Sequence, residues 1–297
     1  MLAQTLTITL RHWPLLVLLF LLALLPALPV TLAFFSTLNS EAAESLAPLQ
    51  LLPGFNYTVF ADFMHVHGHA VWPLIRAGWW TSVLSLLLGV WAKGGILYSF
   101  SNGFSAVTFW QSATHYFSRN LRLLGVTALF ASLWLLLLIT VGLLLGTLLA
   151  EALDDPFTER GYVATGAVVL LLFGLALARI LCTSQYASVL LFATDQQIAF
   201  RAYGQSWRFV GQHWLATFGR YLLLILIGTG LFGIYFLAES LFQAHSWLLI
   251  VLLLLLQQAF VCSRVVLTVW SLRIAFDTTR QIDTLVSQHR TPYSADK

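Results

Sequence analysis

Charged residues are scarce in this sequence. Asp, Glu, Lys and Arg make up only 9% of its 297 residues, whereas 59% are hydrophobic and the mean hydropathy is +0.83. A soluble domain carries roughly 25% charged residues and keeps a polar surface at any size. The composition therefore excludes a soluble globular protein and predicts that lipid surrounds most of the chain. The net charge of +3 does not indicate a nucleic-acid partner, because the basic residues are spread along the chain.

Catalytic motifs and cysteine are scarce as well. The sequence has no phosphate-binding loop, no G-x-S-x-G, no H-E-x-x-H and no C-x-x-C. It also has no soluble stretch long enough for a catalytic domain. Cys182 and Cys262 both lie in apolar stretches, where we expect buried thiols and no disulfide framework. We therefore predict a protein that is not an enzyme and holds no cofactor.

What the sequence has instead is long apolar runs, and six of them exceed the roughly 20 residues that a membrane-spanning helix needs. The first run is too long for a signal peptide and is interrupted by Pro26 and Pro29, so we expect an uncleaved, kinked span. The predicted fold class is an all-α, polytopic transmembrane helix bundle. It forms one integral membrane domain over residues 1–297, with a polar tail at 281–297. The six predicted spans are about 14–38, 78–100, 121–149, 163–190, 216–238 and 247–275.

Basic residues are sorted to one side of these spans. Every Lys and Arg except Arg76 and Arg160 falls on the side of the two termini, and most acidic residues fall on the other side. Lys and Arg accumulate in cytoplasmic loops. Both termini are therefore predicted to be cytoplasmic.

The two longer connections on the basic side have apolar residues at helical spacing. Each predicts an amphipathic helix that lies in the inner interface, and a cytoplasmic extension of the neighbouring span is the alternative. The first connection is about 101–120, and its apolar residues are Phe104, Val107, Trp110, Phe117 and Leu121. The second connection is about 191–215, and its apolar residues are Ala199, Tyr203, Trp207, Val210 and Trp214.

The basic side also contains signs of a repeat. Gln111-Ser112 corresponds to Gln205-Ser206, and His12-Trp13 resembles His213-Trp214. The implied unit is a basic helix followed by a two-span hairpin, used three times. Chance matches among leucine-rich spans are the alternative.

Three segments carry a family resemblance: GFNYTVFADF (54–63), GGILYSF (94–100) and QYASVLLFATDQQIAFRAYGQSWRFVGQH (185–213). They resemble a family of bacterial six-helix inner-membrane proteins of uncharacterised function. More loosely, the arrangement is similar to the membrane domain found on some glycerophosphodiester phosphodiesterases. The resemblance implies a location in the bacterial inner membrane and a six-helix architecture, and it implies no substrate or active site.

The segment HVHGHA (65–70) concentrates three of the chain's eight histidines in the first outer loop. On a continuous helix, Asp62, His65 and His69 would share one face and resemble a metal site. Gly68 is expected to end the preceding helix between these residues. We therefore expect an interfacial turn, and we leave open a metal site that includes His67 or a pH-sensitive loop.

Three cations fall in the inner half of the even-numbered spans, namely Lys93, Arg179 and Arg264. A charge in hydrocarbon costs about 2.5–3.5 kcal/mol on insertion scales, so something must offset it. One interpretation is that their long side chains reach the inner headgroups. The other is an inward-facing basic site that contacts an anion or a lipid headgroup.

Small and polar residues within the spans predict helix contacts. GTGLFG (228–233) lies in an apolar span, where it favours close helix packing over nucleotide binding, and the G-x-x-x-G of Gly142 and Gly146 has the same meaning. These contacts lie inside the bundle or between two copies of the chain. Gln257 and Gln258 are predicted to form hydrogen bonds between helices.

Taken together, these features predict a non-enzymatic polytopic inner-membrane protein. Its predicted partners are the lipid bilayer, with anionic lipids or other membrane proteins at the basic face, and a homo-oligomer is compatible with the small-residue surfaces. A transporter or permease for a small or lipid-like solute is the alternative.

Overall fold

A computed structural model describes residues 2–42, 56–152, 159–241 and 247–290. These ranges are almost entirely α-helical and contain no strand, which confirms the predicted all-α fold class. The helices are α1 (Leu2–Arg11), α2 (Trp13–Leu24), α3 (Ala27–Ala42), α4 (Tyr57–Asn102), α5 (Ala106–Ala152), α6 (Glu159–Ala193), α7 (Ala199–Gln212), α8 (Arg220–Leu241) and α9 (Trp247–Arg290).

Six of the helical stretches are long and apolar enough to cross a membrane, as predicted, and most are longer than expected. The first consists of α2 and α3, which are separated at Leu25 and Pro26, so the predicted kink is confirmed. The spanning stretches are Trp13–Thr37, Val71–Asn102, Ala106–Leu144, Gly166–Ala193, Leu215–Leu241 and Trp247–Gln281.

The prediction that Gly68 ends a helix is wrong. Helix α4 begins at Tyr57, where the Asn56 side chain accepts hydrogen bonds from the backbone N–H groups of Thr58 and Val59. It then continues without interruption through Gly68 and Pro73 to Asn102. A glycine ends a helix only if the following residues leave the helical conformation, and here apolar residues follow that extend the helix into the membrane.

The two predicted interfacial helices have different outcomes. Residues 199–212 form the separate helix α7, but residues 106–120 are the first turns of α5 and continue into the third span. The first connection is therefore a cytoplasmic-side extension of the neighbouring span, which was the alternative to an interfacial helix. No residue after Ala106 interrupts the helix before the span. The polar segment 281–290, predicted as the start of a tail, continues α9, and residues 291–297 lie outside the described ranges.

The buried residues lie at one end of the bundle. We call it the basic end: it comprises α1, the start of α5, α7 and the ends of α4, α6 and α9 next to them. Its core combines Leu15, Leu97, Phe109, Cys182 and Val269 with their neighbours. Buried hydroxyl residues are interspersed with these side chains. Cys182 is buried as predicted, but Cys262 is exposed in the span of α9, so the burial predicted for that thiol is wrong.

The three amphipathic segments at the basic end follow one packing rule. Each packs on the second span of a hairpin: the start of α5 on α4, α7 on α6, and α1 on α9. Each buries a hydroxyl residue that follows a glutamine, and these residues are Thr5, Ser112 and Ser206. Because α1 packs on the last span, the three units form a closed ring. In this arrangement α1 occupies the place of the first basic helix, and the threefold repeat itself stays a prediction.

Candidate functional site

Arg179 lies where α6 and α7 pack together. The chain reverses direction after α6 at Asp195, which has a φ of 51° and forms an ion pair with Arg119 of α5. Helix α7 then buries Ala202, Tyr203, Ser206 and Val210 on one face, because these residues recur at helical spacing. This packing brings Trp207 of α7 and Trp214, just after α7, next to Arg179.

Two tryptophans contact the Arg179 guanidinium. Its Cζ atom lies 4.3 Å from the ring centroid of Trp207 and 5.2 Å from that of Trp214. A guanidinium over an aromatic ring gains a cation–π interaction of about 0.5–2 kcal/mol, depending on how far it is desolvated. The rings therefore hold the cation in place and leave its N–H groups available.

No protein acceptor satisfies those N–H groups fully. The Nε atom of Arg179 is buried and has no hydrogen-bond partner among the described residues. No described carboxylate forms an ion pair with it, either. Guanidinium has five N–H donors, and a buried charged group without acceptors is costly. The arrangement therefore favours an anion beside Arg179.

Two hydroxyl groups on α7 share this region. Tyr203 and Ser206 are buried, and neither side-chain oxygen has a hydrogen-bond partner in the described part of the chain. Tyr203 stacks on Phe130 of α5, with 4.9 Å between ring centroids. Burial raises the pKa of Tyr203 to about 12, and the nearby Arg179 charge opposes this shift. The Tyr203 hydroxyl therefore stays protonated at neutral pH and can donate a hydrogen bond.

Lys93 is half-buried in α4, one residue before a close contact between helices. A Cβ added at Gly94 would lie 2.9 Å from the Ser112 carbonyl oxygen of α5, which shows how close the two backbones are. The Lys93 ammonium has no hydrogen bond or ion pair to a described residue. Its charge is therefore not neutralised by the described part of the protein.

Arg264 is exposed on the face of α9 that looks toward α8, where it lines a groove of about 440 Å³. The residues that line this groove include neither Lys93 nor Arg179. By the bounds of the spans, Lys93 lies in the half nearest the basic end, as predicted, whereas Arg179 and Arg264 lie at the middle of theirs. The structure gives each of them different neighbours.

Other basic residues at this end have partners within the protein. Arg119 pairs with Asp195, and Arg273 donates from Nε to the Asp277 carboxylate over 3.0 Å. Arg220 donates to the Thr278 hydroxyl over 3.1 Å. These contacts distinguish structural arginines from Lys93, Arg179 and Arg264. Sequence reasoning found the three candidates but missed the tryptophan pair, because Trp207 and Trp214 come close to Arg179 only through the packing of α7 on α6.

The histidine segment lies at the opposite end of the bundle, within α4. Asp62, His65 and His69 are all exposed on this continuous helix. Among the described residues, no three His, Cys, Asp or Glu side chains are grouped closely enough to hold a metal ion. The side chain of His67 lies outside the described set.

The glycines predicted to mediate helix packing have few neighbours. A Cβ at Gly142, Gly230 or Gly233 would meet nothing within 4 Å, and at Gly228 it would meet only Leu267 at 3.6 Å. The prediction of close packing within the bundle is therefore wrong for Gly142, Gly230 and Gly233. Contact between two copies of the chain at these glycines stays a prediction. The close approaches occur instead at Gly94 and Gly95, where an added Cβ would meet these residues of α5: Phe109, Ser112, Ala113 and Tyr116.

The two glutamines of the sixth span differ. Gln257 lies beside the hydroxyl group of Tyr235 in α8, as expected for a contact between helices. The Oε1 atom of Gln258 is buried and has no partner among the described residues. The predicted hydrogen bonding between helices is therefore supported for Gln257 and not for Gln258.

No protein-family model matches this chain, and neither a curated protein nor a solved structure is similar enough to match it. The resemblance to bacterial six-helix inner-membrane proteins therefore stays a prediction. Six apolar helices nevertheless identify the chain as a polytopic membrane protein.

Proposed function

We propose that this protein is a non-enzymatic inner-membrane protein that binds anionic phospholipid at its basic end. In this proposal the basic end lies at the cytoplasmic leaflet of a bacterial membrane, and both termini are cytoplasmic. The observation that carries it is Arg179, whose guanidinium is held by Trp207 and Trp214 and whose buried Nε has no acceptor among the residues that the structure describes. A lipid phosphate supplies both the negative charge and the acceptor oxygens that are missing.

The position of the cations supports lipid as the ligand. Cytoplasmic leaflets carry anionic headgroups, which attract basic residues close to the surface. Lys93 lies in the half of its span nearest the basic end, and the Arg179 guanidinium reaches Trp207 and Trp214 at that end. Trp207 and Trp214 are partly exposed at the same level, which is the usual place for tryptophan at a membrane interface.

Transport is less well supported by the position of the unpaired cations. They lie on different helices with different neighbours, and neither of the two grooves in the described part of the protein joins them into a path. A transport path requires polar groups along the whole span. We therefore place lipid binding ahead of transport.

The test is native mass spectrometry of the protein released from nanodiscs that contain phosphatidylglycerol and phosphatidylcholine. Arg179→Gln should reduce retained phosphatidylglycerol by about tenfold, because a charge-assisted hydrogen bond contributes roughly 1.5–3 kcal/mol. Arg208→Gln is the matched control, since Arg208 is exposed on α7 and the change removes the same charge.

The triple variant Lys93→Gln, Arg179→Gln, Arg264→Gln should abolish selective retention. Retention equal to that of the unmodified protein would contradict the proposal. An equal loss in Arg208→Gln would also contradict it, because general surface charge would then explain the binding.

A further inference from the structure

A groove runs between α8 and α9 on the lipid-facing surface of the bundle. Each wall is one face of a helix, because the lining residues recur three, four, seven or eight positions apart. The groove has a volume of about 440 Å³ and extends along roughly 10 Å of the two helices, at 1.5 Å per residue. Its lining residues are Ile225, Gly228, Thr229 and Phe232 of α8 and Phe260, Arg264, Leu267 and Thr268 of α9.

The groove has an aromatic end and a cation near its middle. Phe232 and Phe260 lie across from each other at the end farther from the basic end, with 6.0 Å between ring centroids. Arg264 is one turn closer to the basic end on the same face of α9. From the aromatic end toward the basic end, the α9 wall therefore passes from Phe260 to Arg264 and then to Leu267 and Thr268.

Arg264 supplies the unsatisfied donors of this groove. The two threonine hydroxyls in the lining donate to their own helices, Thr229 to the Ile225 carbonyl and Thr268 to the Arg264 carbonyl, each over 2.9 Å. No described carboxylate pairs with the Arg264 guanidinium. The groove thus has apolar walls and a single cation that lacks a counter-charge.

We infer that this groove holds one acyl chain of a phospholipid whose phosphate group binds Arg264. The inference rests on the proposed lipid binding and adds a second, structurally separate position for it. The apolar walls match the hydrocarbon chain, and the unpaired guanidinium matches the phosphate one turn away. Free inorganic phosphate would contact Arg264 alone and would make no use of the apolar walls.

A second copy of this chain fits the groove less well. It would have to supply a carboxylate at the depth of Arg264. The described acidic side chains at the basic end, Asp195 and Asp277, already pair with arginines. Charge complementarity therefore selects a lipid over another copy.

The groove can be filled by one substitution that has a matched control. Gly228 lines the groove, and a Cβ there would be 3.6 Å from Leu267 Cδ1, so a larger side chain would occupy the groove. Gly230 lies two residues along the same helix, is exposed and is not part of the lining, and a Cβ there would meet nothing within 4 Å. Gly228→Leu and Gly230→Leu thus make the same chemical change at nearly the same depth.

The two variants are compared in nanodiscs of phosphatidylglycerol and phosphatidylcholine by native mass spectrometry. Gly228→Leu should retain one phospholipid fewer than Gly230→Leu. Arg264→Gln should lower the preference for phosphatidylglycerol about tenfold, and Arg264→Lys should keep most of it. Equal numbers of retained lipids in the two leucine variants would overturn the inference. It would also be overturned if the unmodified protein were a dimer and Gly228→Leu were a monomer, because a second copy would then occupy the groove.

A second measurement uses the unmodified protein and so does not depend on the folding of a variant. A phosphatidylglycerol that carries a photoreactive diazirine on its acyl chain should label the peptides that contain residues 225–232 and 260–268. Labelling elsewhere only would overturn the inference. If Arg179→Gln loses lipid and Gly228→Leu does not, the groove does not hold a lipid and the proposed function is unaffected. If Gly228→Leu loses lipid and Arg179→Gln does not, the role proposed for Arg179 is wrong.

Discussion

The basic end and the opposite half of the bundle are made from the same apolar helices, yet they are packed differently. At the basic end, Phe109 is 0% exposed and Leu97 is 1% exposed. In the opposite half, Leu170 is 71% exposed and Trp247 is 78% exposed. Hydrogen bonds between helices are also concentrated at the basic end, for example Thr127 to Ser184 over 2.8 Å and Gln185 to Ser271 over 3.1 Å.

The difference shows what holds helices together when lipid is the solvent. Leucine gains nothing by leaving hydrocarbon for another leucine, so apolar side chains in the opposite half need no protein partner. At the basic end, small residues allow close approach and hydroxyl groups find partners on other helices. The basic end therefore carries the stability of the fold, and it also carries the cations proposed to bind lipid.

Truncation of one leucine in each region should give the largest contrast. Leu97→Ala leaves a cavity in the core and should lower the free energy of unfolding by about 2–5 kcal/mol. Leu170→Ala removes a side chain that faces lipid and should change it by less than about 0.5 kcal/mol. Equilibrium unfolding in mixed detergent micelles measures both. Similar losses in the two variants would abolish the distinction between the regions.

A glycine substitution tests the close approach directly. A Cβ at Gly95 would lie 2.5 Å from Phe109 Cδ2 and 2.9 Å from the Phe109 carbonyl oxygen. Gly95→Ala should therefore destabilise the protein by about 1–3 kcal/mol. Gly89→Ala, in the same helix, has nothing within 4 Å and should be neutral or slightly stabilising. Thermal unfolding of the two variants in detergent should differ, and equal midpoints would show that α4 and α5 are not in close contact.

The hydrogen bond between α1 and α9 should have an intermediate effect. Trp270 Nε1 donates to the Thr5 hydroxyl over 2.9 Å, and both side chains are buried. Thr5→Val leaves the indole N–H without this acceptor and should cost about 1 kcal/mol. The control is Thr140→Val, whose hydroxyl donates only to the Leu136 carbonyl of its own helix. Hydrogen exchange of α1 should increase in Thr5→Val alone, and unchanged exchange would mean that α1 is held by other contacts.

The ion pair between Arg119 and Asp195 should have the smallest effect. The Asp195 side chain is 70% exposed, and exposed pairs contribute roughly 0.2–1 kcal/mol. Asp195→Asn removes the charge and keeps a residue that tolerates the positive φ of this position. A double-mutant cycle with Arg119→Gln measures the coupling, which should decrease at high salt. A coupling free energy well above 1 kcal/mol would contradict this prediction, because it would mean that water screens the ion pair less than the exposure of Asp195 indicates.

The sequence was sufficient to predict what depends on local composition. Apolar length predicted the six spans, Pro26 predicted the kink, and the spacing of charges predicted which residues, including Arg179, lie near the basic end. The apolar stripe of residues 199–214 predicted the separate helix α7, although it did not predict that Tyr203 and Val210 pack on protein while Trp207 and Trp214 stay exposed.

What depends on tertiary packing could not be predicted in this way. The apolar stripe expected for residues 101–120 includes Val107 and Trp110, which are exposed, whereas the face that packs on α4 centres on Phe109 and Ser112. In a membrane an apolar residue can face lipid or protein, so hydrophobicity does not identify the packed face. Small residues such as Gly95 do so better, because close approach excludes larger side chains.

The orientation of the basic end is the central claim, since lipid binding at the cytoplasmic leaflet requires it. Single cysteines are placed at Gln212, exposed at the basic end, and at Tyr57, exposed at the opposite end, in a chain with Cys182 and Cys262 replaced by alanine. Intact bacterial cells are then treated with a membrane-impermeant maleimide. The account predicts labelling of the cysteine at position 57 and no labelling at position 212 until the inner membrane is permeabilised. Labelling at position 212 in intact cells would contradict it.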